Sequence, residues 1–133
     1  MPSSVADEST VLRRVRTKQI RSDGSLAKSS FVQREKGQDR AGLSVSIAEQ
    51  SLTELHRSRF EIPDHCAFAL QVLQVRHFGL DVESAPVTED PAHALIIGIP
   101  DRTAGEAEFL AMERCAQLLA GLAKRYSFAS LST

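Results

Sequence analysis

With 133 residues, 42% of them hydrophobic and 25% charged, the chain has the composition of one globular domain and is short for two. That length supports a core without disulfides or metal, and a formal charge of −1 sets the chain apart from strongly basic nucleic-acid binders. The total hides a segregation: residues 1–40 carry nine basic and five acidic side chains, a net +4, and residues 41–133 carry seven and twelve, a net −5.

Met1–Thr10 is polar and reads as a disordered tail ahead of a single α+β domain over residues 11–126. It lacks the basic start and apolar run of a signal peptide, and no apolar run is long enough to span a membrane. A cytoplasmic protein is therefore expected, and Cys66 and Cys115, each in an apolar stretch, read as buried free thiols. Val11–Arg16 alternates imperfectly and predicts a first strand with a basic outer face. Arg21–Ser25, centred on Asp-Gly, is a turn, and Leu26–Phe31 a short turn or strand. Gln33–Gly42 has almost no apolar residue and predicts an exposed, mobile loop.

Leu43–Ile47 is the clearest alternation, with Leu43, Val45 and Ile47 on one face and Ser44 and Ser46 on the other. Ser51 and Glu54 have capping-box spacing and predict a short helix from Leu52 to about Ser58. His65–Gly79 predicts a helix, since Cys66, Ala69, Leu70, Leu73 and His77 recur near helical spacing and Gly79 is a natural stop. Leu80–Val87 is a candidate strand, Thr88–Pro91 a turn, and His93–Ile99 a strand buried on both faces. The short link predicts that these two strands are antiparallel neighbours. Thr103 and Glu106 predict a capped last helix running to about Tyr126, its stripe formed by Phe109, Met112, Cys115, Ala116, Leu119 and Leu122. Residues 127–133 read as a flexible C-terminal tail. The expected fold is α+β, a small mixed or antiparallel sheet packed against two main helices.

The catalytic inventory is thin: there is no Gly-rich phosphate loop, no His-Glu-x-x-His and no Cys-x-x-Cys, and neither a metal nor a cofactor is implied. His56, His65, His77 and His93 are scattered. His93 reads in two ways. In one, Asp90 holds its imidazole and fixes the tautomer for acid–base chemistry. In the other, Asp90 caps the turn, Pro91 fixes it, and a half-exposed His93 donates to a backbone carbonyl. Ser44 and Ser46 form either a phosphate cradle with Arg14 or Arg16, or the wetted face of a sheet. Ser29, Ser30 and Phe31 are weaker candidates for a pocket rim. The arginine-rich start lacks the interleaved aromatics of a nucleic-acid face, which leaves nucleic acid a minor expectation.

The ordered segments "LRRVRTKQIRSDGSLAKSSF", "LSVSIA", "FGLDVESAP" and "EDPAHALIIG", spread over residues 12–99, resemble an uncharacterised family of small bacterial single-domain proteins. That resemblance draws attention to Arg14, Phe31, Ser44, Asp90, Pro91 and His93 and assigns them no role. An arginine on a first strand and a serine on a second is also similar to part of the ADP-ribosyltransferase arrangement. The remainder of that set is missing, because Glu106 and Glu108 fall at a helix start and Tyr126 is expected far down a helix. The expected function is a non-catalytic accessory or protein-interaction module in a bacterial complex, binding another protein or itself through the C-terminal helix. The alternative is a small enzyme or binding protein for a phosphorylated or nucleotide ligand, with Arg14 and His93 in the site.

Overall fold

The computed structural model describes residues 4–32, 42–50, 60, 62–88 and 90–126. Six strands form one sheet: β1 (Thr10–Arg16), β2 (Leu43–Ile47), β3 (His65–Gln71), β4 (Asp81–Ser84), β5 (His93–Ile97) and β6 (Lys124–Tyr126). Their spatial order is β4-β5-β2-β1-β3-β6, and every neighbouring pair is antiparallel. Among the described residues two helices, α1 (Val72–His77) and α2 (Glu106–Leu122), pack against it, so the fold is α+β with an antiparallel sheet. The loop expected at Gln33–Gly42 (apart from Gly42), the helix expected at Leu52–Ser58 and the tail at residues 127–133 lie outside the described residues.

Alternation decides the faces. Val11, Val15, Leu43, Val45, Ile47, Phe68, Leu70, Val82, Ala94 and Ile96 point to one side and form the main core. Met112, Ala116, Leu119 and Ala120 of α2 are buried, and Ala116, Leu119 and Ala120 join that core. A short 3-10 turn, Lys28–Phe31, wedges Phe31 beside α2, and Lys28 Nζ bonds Glu113 Oε2 at 2.7 Å. The opposite side carries a smaller cluster of Leu12, Ala48, Phe60 and Ala67.

Four expectations are corrected. His65–Gln71 is a strand, with only Val72–His77 helical. Cys66, Phe68 and Leu70 alternate with the small Ala67 and Ala69, and β1 pairs with the segment from Arg16↔His65 to Thr10↔Gln71. That ladder outweighs a helical spacing that the same residues also satisfy. The β5 strand alternates between buried and half-buried residues, so it is not sealed on both faces. The last helix starts after Gly105, because Thr103 is engaged in a turn by its own bond to Asp101 Oδ1 at 2.8 Å. That helix ends at Leu122, and Tyr126 lies in β6 against Ala67.

Residues 4–9 also depart from the expected tail. Val5 is buried and its N–H donates to the Val82 carbonyl at 3.2 Å. Arg76 on α1 gathers this segment: Nε donates to Asp81 Oδ1 at 2.7 Å, Nη2 to Ser4 Oγ at 2.7 Å, and Nη1 bonds Asp7. The hydrogen bond from Arg76 holds the Asp81 carboxyl below its ordinary pKa, helped by the Val82 N–H. A lowered folded-state pKa means that the unfolded chain binds more protons in acid, so this contribution is present above about pH 4 and is lost as pH falls through the folded value. The stability difference between wild type and Asp81→Asn, measured by urea unfolding, is expected to be constant from about pH 5 to 7 and to shrink in more acid solution.

Gly42 leads into β2 with φ of 145°, and a Cβ there would lie 2.7 Å from the Ile96 carbonyl oxygen. Both the backbone angle and the contact exclude a side chain. Gly42→Ala is expected to cost about 1–3 kcal/mol in chemical denaturation.

Candidate functional site

The outer sheet face has a cavity of about 230 Å³ where β1, β2 and β5 meet. Leu12 and Phe60 give it an apolar lining, and Arg13, Arg14, Ser44, Ser46, Asp90 and His93 supply the polar groups. Arg13 shares the inner face with Val11 and Val15, where a guanidinium must find acceptors. Its Nε donates to the Ser30 carbonyl at 2.7 Å and its Nη1 to the Ser44 carbonyl at 2.8 Å, with the guanidinium carbon 5.5 Å from the centre of the Phe31 ring. The β1–β2 register is Val11↔Ile47 and Leu12↔Ser46, and at Ser44 the carbonyl of β2 meets the Arg13 side chain. The sequence shows Arg13 and Arg14 as parts of one basic segment and offers Arg14, not Arg13, as a ligand residue. The signal was a charged residue in phase with two inward valines.

The two serines of β2 have different surroundings. Ser46 is buried and its hydroxyl donates to Asp90 Oδ2 at 3.1 Å. The other carboxylate oxygen, Oδ1, accepts the Ala92 N–H at 3.0 Å, and Asp90 is only 5% exposed. Asp90 therefore ties the turn before β5 to the middle of β2 and sets Ser46 opposite His93. Ser44 is exposed, and its Oγ lies 3.2 Å from His93 Nε2. His93 Nδ1 lies 2.8 Å from the Ala85 carbonyl.

Asp90 accepts the Ala92 N–H in the turn before β5, and the half-buried His93 meets a backbone carbonyl. The Ala85 oxygen, at the end of β4, was not foreseen as a partner, because it comes close only once β4 and β5 pair at Ser84↔Ala94.

Arg14, Ser44 and His93 are brought together, and Arg16 is not with them. Arg16 lines a second hollow of about 350 Å³ with Thr17, Lys18, Asp64 and His65. Phe31 is fully buried and belongs to the core. Cys66 and Cys115 are free thiols that burial pushes up in pKa, so both are poorly nucleophilic, and Cys66 stands on a strand where a helix face was expected. Among the described residues, no group of three or more His, Cys, Asp or Glu side chains is placed to hold a metal ion, and no helix is long and apolar enough to cross a membrane.

No family model, curated protein or solved structure matches the chain. The resemblance of residues 12–99 to small bacterial proteins therefore has no matched family behind it.

Asp90→Ala leaves the Ser46 hydroxyl and the Ala92 N–H without this acceptor in a buried place. The expected cost is about 1–3 kcal/mol by urea unfolding. In a double-mutant cycle, Ser46→Ala should cost less in the Asp90→Ala background than alone, because the two side chains share one bond.

Proposed function

We propose that the notch between β1, β2 and β5 binds a small phosphorylated or nucleotide ligand. The observation that carries this reading is the convergence of Arg14, Ser44 and His93, from three different strands, on one cavity with an apolar lining. A guanidinium is a donor suited to phosphate oxygens, and Leu12 and Phe60 suit a less polar ligand body. Placement on paired strands favours a preformed site, since the register of β2 and β5 holds Ser44 and His93 in place.

The partner-module reading has less to stand on. It drew on the apolar stripe of the last helix, and that stripe is directed at the protein's own core through Met112, Ala116 and Leu119. What it leaves in solvent is Leu110, 51% exposed, and Leu118, 43% exposed. Two separate leucines are ordinary on a protein surface.

The test is titration of the full-length chain with adenosine monophosphate and with inorganic phosphate, followed by backbone amide NMR. Perturbations are expected to centre on Arg14, Ser44 and His93, and Arg14→Ala is expected to weaken binding by about tenfold or more. Perturbations elsewhere, or an affinity unchanged in Arg14→Ala, would overturn the reading.

A further inference from the structure

We propose that Ser44 is a nucleophile with His93 as its general base, and that the notch catalyses phosphoryl transfer from a phosphate ester; this rests on the ligand reading above. The argument begins with the imidazole. A carbonyl oxygen only accepts hydrogen bonds, so the 2.8 Å contact between His93 Nδ1 and the Ala85 oxygen places a proton on Nδ1. In a neutral imidazole Nε2 then carries the lone pair. The Ser44 hydroxyl, 3.2 Å away, donates to it. This is the arrangement a serine nucleophile needs: its proton directed at a base, and the base oriented from behind by a third group. Here the third group is a backbone carbonyl, which fixes ring and tautomer without adding a charge.

The neighbouring serine sharpens the assignment. Ser46 lies on the same face of β2, but it is buried and its proton is directed at Asp90. Asp90 and Ser46 therefore serve as positioning residues that hold the turn leading into His93. Both serines line the cavity, and Ser44 alone of the pair is exposed and faces an imidazole nitrogen. Arg14 lines the same cavity and supplies the positive charge that phosphoryl oxygens call for.

The reaction balances with water as the only co-reactant. Ser44 Oγ attacks phosphorus and its proton passes to His93 Nε2. The bond from phosphorus to the ester oxygen breaks on the side opposite Oγ, the departing alkoxide takes a proton from solvent water, and Nε2 gives up its proton to the hydroxide so formed, leaving phosphorylated Ser44. Water then attacks phosphorus from that side and releases its proton to solvent. The Oγ–P bond breaks, Oγ takes up a proton by way of Nε2, and phosphate is released.

A fluorophosphonate probe reports on the first step, because Ser44 displaces fluoride and retains the phosphonyl group. Intact-mass measurement and peptide mapping of the full chain should find one label, on Ser44. His93→Ala should slow labelling about 100-fold or more. Ser44→Ala should abolish it. Nitrogen-15 NMR of the wild-type imidazole gives a check that needs no variant: the proton should be on Nδ1. No label on Ser44, a rate unchanged in His93→Ala, or a proton on Nε2 would each overturn the proposal. Ligand binding without labelling sinks the nucleophile and spares the binding reading. Labelling without any phosphate binding sinks the assignment to phosphoryl transfer.

Discussion

A guanidinium on the inner face of β1 shapes the sheet around it. Arg13 lies in phase with Val11 and Val15, so alternation sends its side chain toward the core, where it cannot remain without acceptors. It takes carbonyl oxygens from Ser30 and Ser44 and stacks over Phe31. One side chain thereby joins β1, β2 and the 3-10 turn under α2. At Ser44 this side chain meets the carbonyl of β2. The same residue touches the core at Phe31 and lines the notch.

The notch also depends on a second buried polar group. Asp90 is nearly inaccessible, with its carboxylate directed at Ser46 and at the Ala92 N–H. That keeps the turn before β5 against β2 and sets His93 across from Ser46 and within reach of Ser44. The carboxylate holds the turn that leads into His93, and the Ala85 carbonyl meets the ring at Nδ1. The distinction matters chemically, because a carboxylate behind the ring would add charge to the pair and a carbonyl adds only direction. Away from the site, Arg76 performs a similar joining task, holding the N-terminal segment against α1 and β4.

Much of the local structure was legible in the chain. Strict alternation marked β2, and Asp-Gly marked a turn that the structure closes with the Arg21 N–H on the Ser25 carbonyl at 2.8 Å. Gly79, at φ of 84°, stops α1 where a helix end was expected. The short link through Thr88–Pro91 made β4 and β5 antiparallel neighbours. These features depend on neighbours in sequence, whose backbone preferences act before any long-range contact forms.

What only the tertiary structure decided involves residues far apart in the chain. His65–Gln71 has apolar residues that suit a helix as well as a strand, and the β1 ladder made the choice. The last helix kept its stripe but stopped at Leu122, because Lys124–Tyr126 found the edge of β3. Arg14, Ser44 and His93 were each visible as candidates, while their meeting depended on β2 lying between β1 and β5. By itself the sequence determined the α+β class, the inward and outward faces of β2, and the residue types present for chemistry. Strand order, the opening beside Arg13 and the partner of each polar side chain came from long-range pairing, which alternation permits in several arrangements and only the packed sheet selects.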